Sequence, residues 1–241
     1  MAGSYRPYRR DDPHGYAIGV FACLEMLTYA AAPLAVIVPG SSQPNAGLDR
    51  ILAQADERGL EVVRGDRLLR RLSGKDNCLA VGVYRKQDAP LRAGCDHLVL
   101  IAPADAGNLG TIMRTMLGFG VHDLALVGSA VDHHQPRSVR ASMGACFRLR
   151  VQRFAAWGDY DRTHPQSARY PLLSDATTPL RTQRFAAPCS LILGNESSGL
   201  DPSWHDVGTP VRIVHEQSID SLNLALAAGI ALHALAGQRS G

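Results

Sequence analysis

Leu191-Ile192-Leu193-Gly194-Asn195-Glu196-Ser197-Ser198-Gly199-Leu200 is the stretch on which the reading of this 241-residue chain turns. Ser190–Leu193 is an apolar run of strand length, and it stops at a polar segment flanked by two glycines. Backbone N–H groups freed in such a turn can hold a small polar ligand. In an open α/β sheet, ligands bind at the carboxyl ends of the strands. The turn has neither the Gly-Lys-Ser/Thr ending of a phosphate-binding loop nor a Gly-x-Gly-x-x-Gly pattern, which argues against nucleoside triphosphates and NAD.

Two more segments of this kind lie on either side of it. Upstream, His97–Ala102 reads as a strand. The loop from Ala104 to Gly110 then leads into a helix over Leu109–Phe119, with Asn108 as its expected cap and Gly110 in its first turn. Arg114 follows Asn108 by six residues and leans back toward the loop, because helical side chains point to the N-terminus. A helix N-terminus and a guanidinium both favour an anion, although a capped helix with a surface arginine fits the same residues. Downstream, Val211–Val214 reads as a strand and Leu222–Leu235 as a helix. Ser221 is its expected cap and Asn223 lies in its first turn; a plain capped helix fits here too. Asp123–Val127 and Phe147–Phe154 are further strands, the latter alternating Arg148 and Arg150 with Leu149 and Val151. Arg137 with Arg140, and Arg148 with Arg150, fit either an RNA path or a solvated face.

The first part of the chain reads as a smaller module. A dozen residues rich in Arg, Tyr, Asp and Pro form an arm or tail. A helix over Gly15–Tyr29 stops before Pro33. Leu34–Val38 is a strand, Leu48–Glu57 a helix and Glu61–Val63 a strand. Arg67–Leu72 is a helix with Arg67, Arg70 and Arg71 on one side, and Leu79–Tyr84 is a strand. Strands alternating with helices imply a largely parallel sheet. The polar, Pro- and Gly-bearing stretch 88–96 reads as a linker, dividing the chain into modules over 1–87 and 97–241.

Composition excludes several classes. No segment approaches the roughly 18 apolar residues of a membrane span, and no apolar signal core follows Met1, so a cytoplasmic location is expected. The five cysteines form no Cys-x-x-Cys pair, which excludes a disulfide framework and a zinc site. Adjacent His133 and His134 rarely share one ion, so no metal is expected. A hydrolase elbow of the Gly-x-Ser-x-Gly type is absent. Net charge is only +3, and residues 1–92 hold 13 basic and 10 acidic side chains against 12 of each beyond. Nearly all the cations are arginine, which suits phosphate contact and base stacking, as a codon bias also would.

Taken together, Asn108-Leu-Gly110-Thr-Ile-Met-Arg114, Gly194-Asn195-Glu196-Ser-Ser-Gly199-Leu200 and Ser221-Leu222-Asn223-Leu224 resemble the three-motif signature of the TrmH-like (SpoU) branch of the SPOUT RNA methyltransferases. Val139–Ala145 resembles a further stretch of that family. The likeness covers about residues 97–236. It implies a parallel α/β domain with a deep trefoil knot, behind a smaller α/β domain over 1–87 that resembles L30e and binds the RNA substrate. It also implies S-adenosyl-L-methionine as cofactor, a homodimer formed through the knotted domain, and methylation of a ribose 2′-oxygen in ribosomal or transfer RNA. Cofactor contacts fall on Leu193, Gly194, Asn195, Gly199, Ile213 and Leu222. Catalytic and positioning roles fall on Arg114, Asn108, Glu196, Ser221 and Asn223, and RNA contacts on Arg140, Arg67 and Arg70. The chain departs from the family pattern at Val214, where proline is usual, at Ser197, where glycine is frequent, and at Asp76-Asn77-Cys78, near a His-Gln-Gly element of relatives. The alternative reading is an inactive RNA-binding protein of the same fold.

Overall fold

A computed structural model of the chain describes residues 5–41, 44–216 and 218–239. The elements run β1 (His14–Ile18), α1 (Val20–Tyr29), β2 (Pro33–Val38), α2 (Ala46–Glu57), β3 (Glu61–Arg64), α3 (Asp66–Ser73) and β4 (Val81–Arg85). They continue with β5 (His97–Ile101), α4 (Ala106–Gly118), β6 (Asp123–Val127), α5 (Pro136–Ala141), β7 (Arg150–Phe154), α6 (Trp157–Thr163), β8 (Ala168–Pro171) and β9 (Thr178–Pro179). β10 (Cys189–Leu193), β11 (Val211–Arg212) and α7 (Leu224–Arg239) complete the chain. The chain forms two compact units. The first comprises residues 1–87 and 132–148, the second residues 88–131 and 149–241.

The second unit holds a five-stranded sheet of order β7-β6-β5-β10-β8, parallel throughout. Leu98, Val99 and Leu100 of β5, Leu124 to Val127 of β6 and Leu191 to Leu193 of β10 are all buried. Continuous apolar runs of this kind belong to parallel strands covered on both faces. From β5 the chain steps outward to β6 and β7, then returns to the other side of β5 with β10 and β8. The carboxyl ends of β5 and β10 therefore flank the point where strand order reverses, the ligand crevice of such sheets. The stretch 88–96, read from composition as a linker, is instead fixed to this unit. Leu91 N donates to Gln152 Oε1 at 2.8 Å, and Arg92 pairs with the buried Asp123 carboxylate at 2.7 Å.

The first unit is mixed where a largely parallel sheet was expected. Its order is β1-β4-β2-β3, with β4 antiparallel to both neighbours and only β2 and β3 parallel. The helix expected from Gly15 begins only at Val20, because Tyr16 and Ala17 alternate between the two sheet faces as part of β1. Ala17, Val36 and Tyr84 face one core, with Cys23, Met26 and Leu27 of α1, Ile51 and Ala55 of α2, and Val139. Tyr16, Ile37 and Val83 face the other, with Leu69 and Leu72 of α3 and the arm residues Tyr5 and Tyr8. The arm is thus ordered: Tyr16 Oη donates to Arg6 O at 2.7 Å and Tyr5 Oη to Glu61 at 3.1 Å. Residues 132–148, assigned from sequence to the larger module, complete this smaller core through Val139, Cys146 and Phe147.

At the amino ends of β5 and β10 the second unit encloses a polar group. His97 Nδ1 lies 2.9 Å from Tyr160 Oη, which lies 2.5 Å from Ser190 Oγ, itself 2.6 Å from Ser167 Oγ. The His164 ring is edge-on to His97 at 4.7 Å, and neither of its buried nitrogens meets a protein partner. Burial lowers the pKa of both histidines below the usual 6.5. The folded state thus holds them neutral, while the unfolded chain takes up protons. Stability is fully present above about pH 6.5 and falls as pH drops through the window below it. Urea midpoints measured downward from pH 7.5 are expected to decline below about pH 6.5. His164→Phe should raise stability by about 1 kcal/mol by removing an unsatisfied group and should shallow that decline; an unchanged slope would discount His164.

Candidate active site

Everything that positions the site follows from the two loops at the switch point. β10 ends at Gly194, which is buried, and the turn closes on itself with Gly199 N donating to Asn195 O at 2.9 Å. A Cβ on Gly194 would sit 2.1 Å from the Gly199 carbonyl carbon, so no other residue fits there. Asn195 Nδ2 donates to Ala102 O, just past β5, at 2.6 Å.

Glu196 makes the larger connection. Its carboxylate accepts from Ala104 N at 2.9 Å, Asp105 N at 3.1 Å and Asn108 Nδ2 at 3.2 Å. Partial burial alone would raise its pKa, but the two amides and Asn108 outweigh that and hold it below the ordinary carboxylate range. Asn108 Oδ1 in turn accepts from Asn223 Nδ2 at 3.2 Å. Asn223 Oδ1 accepts from Ala225 N at 2.9 Å and Leu226 N at 3.3 Å, at the start of α7. A single chain of hydrogen bonds thus runs from the turn after β10, through the N-terminus of α4, to the N-terminus of α7.

Two expected caps are displaced. Asp105, not Asn108, caps α4, accepting from Asn108 N at 2.8 Å. Asn223, not Ser221, supplies the capping oxygen of α7. In each case the freed residue turns to the site: Asn108 to Glu196, and Ser221 to the cavity wall.

Beside this chain lies a cavity of about 470 Å³. Leu193, Gly194, Asn195, Gly199, Ile213 and Leu222 all line it, as do Glu196 and Ser221. Asn108 and Asn223 are not among the lining residues; Asn108 is bonded to Glu196 of the wall, and Asn223 to Asn108. Arg114 is not among the lining residues. It lies exposed on α4, and its guanidinium has no hydrogen bond or ion pair to any described residue. Sequence reasoning missed Leu172, Leu173, Ser174 and Asp175, which enter after the edge strand β8. The signal was weak: β8 is four residues long and ends in proline, an edge-strand feature. Leu172 N donates to Ile192 O at 2.8 Å and Leu173 N to Val211 O at 3.0 Å, which bring this segment alongside β10 and β11. Among the described lining residues there are three carboxylates, Asp175, Glu196 and Asp220, and no Arg or Lys. The wall therefore suits a ligand that is polar, partly apolar and positively charged.

The expected RNA contacts do not form one patch. Arg67 and Arg70 are exposed on α3, which covers one face of the first unit's sheet, whereas Arg140 is exposed on α5, on the side of the opposite core. No helix among the described residues is long and apolar enough to cross a membrane.

The family model described as the SpoU rRNA Methylase family matches residues 97–233. An uncharacterized tRNA/rRNA methyltransferase of Synechocystis is 33% identical over 77% of this chain and 69% of its own length. A 23S rRNA uridine-2′-O-methyltransferase of Streptomyces viridochromogenes is 31% identical over 62% of this chain and 55% of its own. The crystal structure of an AdoMet-bound rRNA methyltransferase from Sinorhizobium meliloti superposes with a TM-score of 0.81 at 25% identity, covering 94% of this chain and 88% of that one.

Glu196→Ala strands two backbone donors and Asn108, and the group is half-buried. A loss of about 1–2 kcal/mol in urea unfolding at pH 7 is expected. Because the carboxyl pKa is depressed, this difference between native and variant should be present above about pH 4.5 and vanish as pH falls below it. A variant as stable as the native chain at pH 7 would refute the bridging role.

Proposed function

Because the chain belongs to the SpoU rRNA methylase family and is an S-adenosylmethionine-dependent RNA methyltransferase, we propose that it methylates a ribose 2′-oxygen in ribosomal or transfer RNA. The observation that carries this reading is the pocket after β10, built from Gly194–Gly199 and bolted by Glu196 to the head of α4.

The residues fit the cofactor. Leu193, Ile213 and Leu222 offer apolar walls, the Gly194–Gly199 turn offers backbone groups at close range, and the carboxylates suit a ligand with a cationic sulfonium. When bound, S-adenosylmethionine supplies an activated methyl group on sulfur. The remaining task falls to the chain: placing the 2′-oxygen and assisting loss of its proton.

Arg114 is assigned to that task. A guanidinium is effectively never deprotonated in proteins, so it does not act as the base. It stabilises the developing alkoxide and the adjacent phosphate, while phosphate or water accepts the proton. Its exposure and lack of an internal partner leave its donors available to RNA. Asn108, Glu196 and Asn223 act as positioning residues that fix the helix bearing Arg114, and Ser221 faces the ribose from the cavity wall. Arg140, Arg67 and Arg70 serve as RNA contacts of the first unit.

The finer architecture follows the same reading. The second unit carries the trefoil knot of its family, and the first acts as an L30e-like substrate-binding domain. Two copies associate through α7, where Leu226 and Ile230 are 63% and 42% exposed on one side of the helix. The protein works in the cytoplasm beside its RNA. The alternative, an inactive RNA-binding protein of the same fold, would show no measurable binding of the cofactor.

Arg114→Ala should lower methyl transfer to total RNA by at least about a hundredfold, with cofactor affinity unchanged by calorimetry. Gly194→Ala should abolish that calorimetric signal. Equal loss of cofactor binding in Arg114→Ala would remove Arg114 from the chemistry, and a native chain without measurable cofactor binding would leave only the RNA-binding reading.

A further inference from the structure

The basic excess of the chain is concentrated once residues are sorted by the unit they fold into. The first unit, with residues 132–148, carries 15 Arg and Lys against 10 Asp and Glu; the second carries 10 against 12. Electrostatic footing for a polyanion therefore lies on the first unit. Within that unit, one surface combines cations with exposed rings.

Phe21 and Tyr29 stand eight positions apart on α1 and are 51% and 44% exposed. Eight residues are two turns and a little more, so the rings share one helix face about 12 Å apart along the axis. The rest of the helix buries Ala22, Cys23, Met26 and Leu27. Midway along the exposed face, the segment after α5 closes on the helix. A Cβ on Gly144 would lie 2.4 Å from Glu25 Cβ, so the backbone rests directly on that side chain. Met143, the residue before Gly144, is 41% exposed. At the end of the face the Arg148 guanidinium lies 4.5 Å above the centre of the Tyr29 ring. Arg140 is exposed on the last turn of α5, and its guanidinium has no hydrogen bond or ion pair to any described residue.

We propose that this face of the first unit, Phe21, Tyr29 and Met143 with Arg140 and Arg148, is a docking surface for an unpaired stretch of RNA. Exposed aromatic rings at this spacing give stacking platforms for splayed bases, and an arginine already stacked on one ring extends that platform with a cation. Sequence-tolerant recognition of single strands uses this pairing of rings and guanidinium groups. Duplex RNA presents phosphates but no unstacked base faces, so it would engage the arginines alone. Glu25, the one carboxylate of α1, is half-buried beneath Gly144 and leaves the balance of the face positive. The assignment rests on the RNA methyltransferase reading, and it adds where and in what form the RNA is held.

The test uses the full chain and a short fluorescein-labelled oligouridine at low salt, with the same measurement on a labelled RNA duplex. Phe21→Ala/Tyr29→Ala should weaken oligouridine binding by about tenfold, as loss of a stacked base does, and leave duplex binding unchanged. Phe21→Tyr/Tyr29→Phe should retain native affinity. Arg140→Gln/Arg148→Gln should weaken both and lower the salt slope by about 1–2. If the alanine pair melts early, Tyr29→Gln alone decides. Native oligouridine affinity in the ring-deleted chain would overturn the proposal. So would abolished self-association with unchanged RNA affinity, which would make the face a protein contact. Calorimetry with S-adenosylmethionine separates the two levels: lost cofactor binding in the native chain sinks the methyltransferase reading, whereas intact cofactor binding with ring-independent RNA affinity sinks only this surface.

Discussion

The Glu196 carboxylate holds together three elements that are far apart in sequence. Its two oxygens take the Ala104 and Asp105 amides and the Asn108 side chain, and Asn108 passes the connection to Asn223 at the head of α7. Free amides at a helix start are costly to leave unpaired. Here one carboxylate pairs with the two amides just ahead of α4 while Asp105 caps the helix itself, and the negative charge is favoured where the helix dipole is positive. The same bonds fix the rim of the cavity, so site geometry and local stability share a single interaction.

The parallel sheet explains why these loops meet. Reversal of strand order between β5 and β10 leaves a crevice at their carboxyl ends, where the loops that follow them meet. The opposite ends of the same strands carry the buried His97–Tyr160–Ser190 group, with Phe154 edge-on to the Tyr160 ring at 5.3 Å. One edge of the sheet is therefore open, polar and built from backbone; the other is closed and held by buried side chains.

Residues 132–148 link the two units covalently and complete the smaller one's core. Val139 enters the core beneath α1, and Phe147 packs edge-on against Tyr84 at 4.9 Å. By folding there, this segment moves Arg137, Arg140 and Arg148 into the first unit and sharpens the charge difference between the units.

The strands and the pocket were legible in the sequence because their signals are local. Ser190–Leu193 is apolar and ends at Gly194, and a parallel strand buried on both faces needs no more than that. The lining residues from Leu193 to Gly199 follow directly from the turn. Ile213 and Leu222 came through the likeness of whole motifs to the SpoU family, since neither is conspicuous alone. Other features depend on contacts distant in sequence. Asp105 and Asn108 are both competent caps three residues apart, and only Glu196, 88 positions away from Asn108, draws Asn108 off the helix end. Tyr16 and Ala17 fit a helical pattern until β4 pairs beside them. The division of the arginines is likewise invisible along the chain: Arg67 and Arg70 differ from Arg140 not in composition but in which face of a sheet their helices cover. Local sequence sufficed for the Leu193–Gly199 wall of the cavity, because a strand and a turn are written within ten residues. The tertiary structure decided the caps, the membership of 132–148 and the arrangement of cations, because each depends on which distant segment offers a better partner.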